Sequence, residues 1–100
     1  MNLNKTLNMI GLCQKAGKIA SGEFSVETAI KAGHAHLVVI ADNASDNTKK
    51  KFVNMCNYRQ IPYIIAFDKE ELGHAIGKQF RATICVTDEQ FAMSIEKTWR

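Results

Sequence analysis

The fold class that this sequence predicts is α/β: a three-layer α/β/α sandwich with a four-stranded mixed sheet. Two observations carry that expectation. Helical and extended apolar patterns alternate along the whole chain with connections of only a few residues, and the run "HLVVIA" (36–41) is continuously apolar, as in a strand covered on both faces. No repeat, linker or low-complexity segment divides the chain, so residues 1–100 are expected to form a single domain.

Each element has its own signal. Leu3, Leu7 and Ile10, with Met9, Leu12, Cys13 and Ala16 widening the face, recur at helical spacing, which predicts an amphipathic helix over 3–16 stopped by Gly17. Lys18–Ser21 reads as a short extended piece. From Gly22, the set Val26, Ala29 and Ile30 predicts a second helix that closes at Gly33 behind Lys31, a cation and a glycine at the end that favours both. His36–Ala41 follows as a strand. "DNASDN" is turn chemistry, with Ser45 or Asp46 expected to cap a helix over 47–58 whose inner face is Phe52, Val53, Met55 and Cys56. Pro62 sits at the edge of a strand over 63–67. Asp68 and Glu71 form a capping-box pair on a short helix reaching Ile76. "ATICVT" (82–87) is the last strand, and Thr87 with Gln90 reads as a second box before a helix lined by Phe91, Ala92, Ile95 and Trp99.

Composition narrows the function classes. With 46% hydrophobic residues and one proline, the chain has the makeup of a folded protein rather than a disordered one. Its first residues carry polar groups throughout, so neither a signal peptide nor a membrane span is expected and the predicted location is the cytoplasm. Cys13, Cys56 and Cys85 are an odd count without a C-x-x-C pair, which suits reduced core thiols. The net charge of +3 is compatible with an acidic partner and decides nothing alone.

Catalytic readings find little support. Asp42 follows a buried strand, where a base or metal ligand often stands, yet Asp42 and Asn43 also read as turn residues. His34 and His36 have an H-x-H spacing without a third ligand near in sequence. No Walker-type or G-x-G-x-x-G loop appears, and no catalytic triad or carboxylate pair assembles. Binding features are better developed. Gly22 turns the chain into a helix whose first nitrogens, on Glu23, Phe24 and Ser25, lie at an end of partial positive charge, unless Ser21 or Ser25 caps them. Lys15, Lys18 and Lys31 are near in sequence. The loop "GKQFRA" adds Lys78 and Arg81 for phosphates and Phe80 for stacking on an unpaired base, or for closing the core beneath it.

With those residues in place the chain resembles the ribosomal protein L7Ae/L30e family, most closely its bacterial YlxQ-like branch. The resemblance covers nearly the whole chain and rests on "IGLCQKAGKIASGE", "AIKAGHAHLVVIADNASDNTKKK", "IPYI" and "ELGHAIGK". It implies an α/β/α sandwich that binds kink-turn RNA, a sharply bent duplex, usually in ribosomal or other structured RNAs. It also implies that the helix after Gly22 enters the RNA at the bend. The positions at which the family carries a polar pair and a lysine fall here on Phe24, Ser25 and Thr28, which are departures: Phe24 lacks polar reach and Ser25 is short. The expected RNA-binding set is therefore Lys18, Gly22, Glu23, Phe24, Ser25, Thr28, Lys31, Asp42, Asn43, Lys78, Phe80, Arg81 and Ala82. The expected protein is a monomer without enzymatic activity, cofactor, metal, membrane or small-molecule substrate. Two competing readings are an adaptor that offers Phe24 and Phe80 to a protein partner, and a small enzyme in which Asp42 converges with His34, His36 or His74.

Overall fold

The computed structural model describes residues 2–99. Its first helix, α1 (Leu3–Lys15), starts where Asn2 Oδ1 accepts the Lys5 N–H at 3.0 Å. The buried stripe of α1 is Thr6, Ile10 and Cys13, while Leu3 and Leu12 of the expected apolar face stay exposed. Thr6 holds a core position because its hydroxyl is satisfied there, donating to Asn2 C=O and lying 2.7 Å from the Thr98 hydroxyl.

Three further helices each follow a strand. β1 (Ile19–Ser21) leads to α2 (Glu23–Lys31), β2 (Leu37–Ile40) to α3 (Asp46–Arg59), and β3 (Tyr63–Ile65) to α4 (Lys69–Ala75). β4 (Thr83–Val86) and α5 (Glu89–Trp99) complete the chain. The sheet order is β1-β4-β2-β3, with β2 and β3 parallel and β4 antiparallel to both its neighbours, so the sheet is mixed as expected. Helices α2 and α3 cover one face, and α1, α4 and α5 the other. β2 and β4 are buried at every position, and Phe52, Ile10, Ile30, Leu37, Ile84 and Ile95 are among the largest side chains sealed between the layers.

Two local expectations are corrected. Pairing of β3 stops at Ile65 rather than Phe67, because Phe67 adopts φ +65, which turns the chain, presents its carbonyl to the Asp42 N–H at 2.7 Å and sets its ring edge-on to Trp99. The cap of α5 is Asp88, whose Oδ2 accepts the Phe91 N–H at 2.9 Å. Thr87 cannot serve as that cap, since it still extends the ladder, donating its N–H to Lys18 C=O. All three cysteines are buried and unpaired, and loss of water around each thiol pushes its pKa up to about 11. Among the described residues no helix is long and apolar enough to cross a membrane.

Candidate functional site

Because β1, β2 and β3 run in one direction, α2, α3 and α4 all begin along the same edge of the sheet, and the loop 77–82 returns the chain to it. The start of α2 is unlike the other two. Gly22 sits at φ +89, ψ 155, a conformation nearly confined to glycine, and among the described residues no side chain caps the helix. The first intrahelical bond runs from Val26 N–H to Gly22 C=O, so the N–H groups of Glu23, Phe24 and Ser25 lie ahead of the ladder. Neither Ser21 nor Ser25 caps them. Ser21 Oγ is instead occupied by Arg81, whose Nε donates to it at 3.2 Å.

That bond joins the two surfaces that the sequence presents separately. Gly22 N–H donates to Thr83 C=O, which locks the start of α2 beside the start of β4 and therefore beside Arg81 and Ala82. Arg81 is held further by its N–H to Lys69 C=O and by Nη1 donating to Phe80 C=O. Phe80 remains 52% exposed, which answers the question of whether it closes the core: half of it faces outward. Lys78 is exposed and tied only through its backbone, to Gly73 C=O. The loop lies flat on α4 because Gly73 has no side chain. A Cβ there would stand 2.8 Å from the Gln79 and Phe80 backbone.

Glu23 has a defined partner. Ser45 Oγ–H donates to Thr48 Oγ1, whose own hydroxyl donates to Glu23 Oε2 at 3.2 Å, so the cap of α3 and the first residue of α2 form one chain of hydrogen bonds. Phe24 is 85% exposed, and Thr28 donates its hydroxyl back to Phe24 C=O. Asp42 and Asn43 stand farther along the edge. Asn43 Oδ1 accepts the Lys69 N–H at 2.8 Å, and Asp42 lies in a shallow depression with Asp68 and Glu71, where an anion would be repelled.

Two expected residues lie elsewhere. Lys18 precedes β1 and is about 13 Å from Gly22 at strand rise. Lys31 ends α2, about 12 Å from Glu23, and its ammonium pairs with Glu27 at 2.8 Å. Lys51 also pairs with Glu27, and the two ammonium groups hold that carboxyl down at about 2. The roles that sequence reasoning missed are those of Ser21, Thr48 and Gly73: Ser21 reads as a candidate cap rather than as the partner of Arg81, Gly73 shows only as a glycine inside a helical pattern, and Thr48 carries no signal.

The enzyme reading loses its histidine pair: Asp42 and His36 lie beyond opposite ends of β2, about 20 Å apart, while His74, on α4, lines a different depression from the one that holds Asp42. Among the described residues no three His, Cys, Asp or Glu groups are placed to hold a metal ion.

Comparison with known proteins follows the same outline. Residues 4–96 match the model of the ribosomal protein L7Ae/L30e/S12e/Gadd45 family. The RNA-binding protein YlxQ of Bacillus subtilis is 40% identical over 84 residues, 84% of each chain. The large ribosomal subunit protein eL8 of Picrophilus torridus is 30% identical over 83 residues, 82% of this chain and 65% of that one. Among solved structures, a protein of unknown function from Bacillus halodurans C superposes with a TM-score of 0.91 at 34% identity, covering 94% of this chain and 95% of that one. The Giardia lamblia 15.5kD RNA binding protein shares the fold, with a TM-score of 0.76 at 19% identity over 92% of this chain and 85% of that one. The relatives' names are those of RNA-binding and ribosomal proteins, not of enzymes.

Proposed function

Since the chain belongs to the ribosomal protein L7Ae/L30e/S12e/Gadd45 family, we propose that it is a non-catalytic, cytoplasmic RNA-binding protein. It takes a sharply bent, kink-turn-like RNA, ribosomal or otherwise structured, against the edge where α2 begins. The observation that carries this reading is the uncapped start of α2 with Arg81 fixed beside it: open N–H donors at a helix N-terminus next to a guanidinium suit a phosphate backbone. Phe80 and Phe24 offer stacking faces for unpaired bases at the bend. Phe24, Ser25 and Thr28 supply less base-edge hydrogen bonding than the family's polar residues, so backbone shape contributes more of the selectivity.

The test is a gel-shift titration against a kink-turn RNA and a straight duplex at two salt concentrations. Preference for the bent RNA with a steep salt dependence is expected. Arg81→Ala should weaken binding about tenfold, as loss of a charge-assisted contact does, and Lys18→Ala much less. Equal, weak binding to both RNAs would sink the bent-RNA reading and favour the adaptor, for which the exposed Phe24 and Phe80 are the motivating feature.

A further inference from the structure

The positive charge of the molecule is concentrated on α3. That helix carries Lys49, Lys50, Lys51 and Arg59 against one carboxylate, Asp46, an excess equal to the net charge of +3 of the whole chain. After Asp46 it holds no acid, whereas α2, α4 and α5 each set carboxylates among their cations. The helical period decides where these groups point. Thr48, Phe52 and Cys56 are buried against the sheet, so Asn47, Lys50, Asn54, Asn57 and Tyr58 project outward, with Lys51 on the flank nearest α2. All six are exposed, and Tyr58, at 85%, stands as far out as Phe24. Lys51 is taken by Glu27. Among the described residues, no carboxylate pairs with the Lys50 ammonium and no hydrogen bond engages the side-chain amides of Asn47, Asn54 and Asn57. A solvated helix face ordinarily answers a lysine with a carboxylate one turn away; this one leaves its cation, its amides and its phenol to an outside group.

We propose that this outward stripe of α3 is a second RNA contact, holding a duplex arm of the RNA whose bend sits at the start of α2, an inference that rests on the RNA reading above. The two surfaces are joined. Thr48 of α3 donates to Glu23 of α2, Lys51 pairs with Glu27, and both helices begin on the same edge of the sheet. From that edge the 14 residues of α3 run for about 21 Å, so the stripe lies along the path of an arm leaving the bend. Its chemistry suits an A-form duplex, which shows phosphates and 2′-hydroxyls across a wide, shallow minor groove. Lys50 meets the phosphates. The amides of Asn47, Asn54 and Asn57 both donate and accept, as a 2′-hydroxyl does, and the Tyr58 hydroxyl reaches a phosphate or a ribose at the far end. Such contacts carry no base sequence, so the stripe adds affinity and fixes the direction of the arm. A protein partner is a poorer match, because the stripe offers no aliphatic side chain to the core of an interface.

The test uses a kink-turn RNA in two forms, one with both arms trimmed close to the bend and one with both arms extended, titrated by gel shift with the native chain, Lys50→Gln, the double variant Lys50→Gln/Tyr58→Ala, and Arg81→Ala. The native chain should bind the extended form about tenfold more tightly, and the double variant should lose that preference while binding the trimmed form as the native chain does. On the extended form alone, Lys50→Gln should lower the slope of log affinity against log salt by about 1. Arg81→Ala should weaken both forms equally and keep the preference. Because the stripe is exposed, its variants should unfold at the native midpoint. A native chain that binds the two forms equally, or a double variant that keeps the native preference, would overturn the proposal and leave the bent-RNA reading standing wherever Arg81→Ala still weakens the trimmed form. A native chain that binds neither form would overturn both.

Discussion

Two helices that start on the same edge of the sheet are finished in opposite ways. At α4, Asp68 Oδ1 accepts the Glu71 N–H at 2.7 Å while Glu71 Oε1 accepts the Asp68 N–H at 3.0 Å, and Asn43 takes the Lys69 N–H as well. At α2 the position of the cap belongs to a glycine, and the serine before it is bonded to Arg81 instead. The first start is closed by its own side chains and contributes stability. The second leaves its donors turned outward, so its contribution lies in what it can receive.

That contrast can be broken or sharpened by substitution. The largest effect is expected at Gly73, where alanine would collide with backbone rather than with a flexible side chain. Gly73→Ala should cost about 2–3 kcal/mol in chemical unfolding and loosen the loop that carries Arg81, so affinity for RNA falls with it. At Gly22, alanine must adopt φ +89, and Gly22→Ala should cost about 2 kcal/mol. Asp68→Ala removes the box and should cost about 1 kcal/mol. If the two starts differ as described, Gly22→Ala weakens RNA binding beyond its stability cost and Asp68→Ala does not. A gel shift on both proteins well below their unfolding temperatures checks this.

Thr83, whose carbonyl holds Gly22, has a buried hydroxyl without a hydrogen-bond partner among the described residues. Thr83→Val keeps the shape and removes the unsatisfied group, so thermal unfolding should show a change between zero and a gain of about 1 kcal/mol. The smallest effect concerns pH. Glu27 is held at about 2, below its ordinary 4.5, by Lys31 and Lys51, so its contribution is complete above 4.5 and is lost as pH falls from there toward 2. The acid dependence of the unfolding midpoint should be shallower in Glu27→Gln than in the native chain across that window, and identical curves would contradict the pairing.

Element by element, most of the fold was legible in the sequence, because its signals are local. Ser45 caps α3, Asp68 and Glu71 form their box, and the glycines at 17 and 33 follow α1 and α2 as expected. What was not legible depends on residues distant in sequence. Leu3 and Leu12 fit the apolar face of α1 by spacing, but the threonine between them is paired with Thr98 at the other end of the chain. Ser21 looks like a cap until Arg81, sixty positions later, takes its oxygen. Lys18 and Lys31 are close to Gly22 in number only, since a strand and a helix carry them away in space. The joining of the α2 start to the loop 77–82 could be anticipated only through the family resemblance, and the contact of Glu23 with Thr48 through neither route.

The position of β4 also bears on how the protein is made. This strand lies between β1 and β2 and, among the described residues, is the only antiparallel partner of either, yet it begins at residue 83. A chain emerging from the ribosome therefore carries β1 without its partner until residues 83–86 have been made, and α1 without the helix to which Thr6 is joined through Thr98. Closure of the sheet waits for β4, and the joining of α1 to α5 waits for Thr98. Closing the sheet thereby depends on contacts distant in sequence, and truncation before β4 should leave a segment with an unfinished sheet rather than a smaller stable domain.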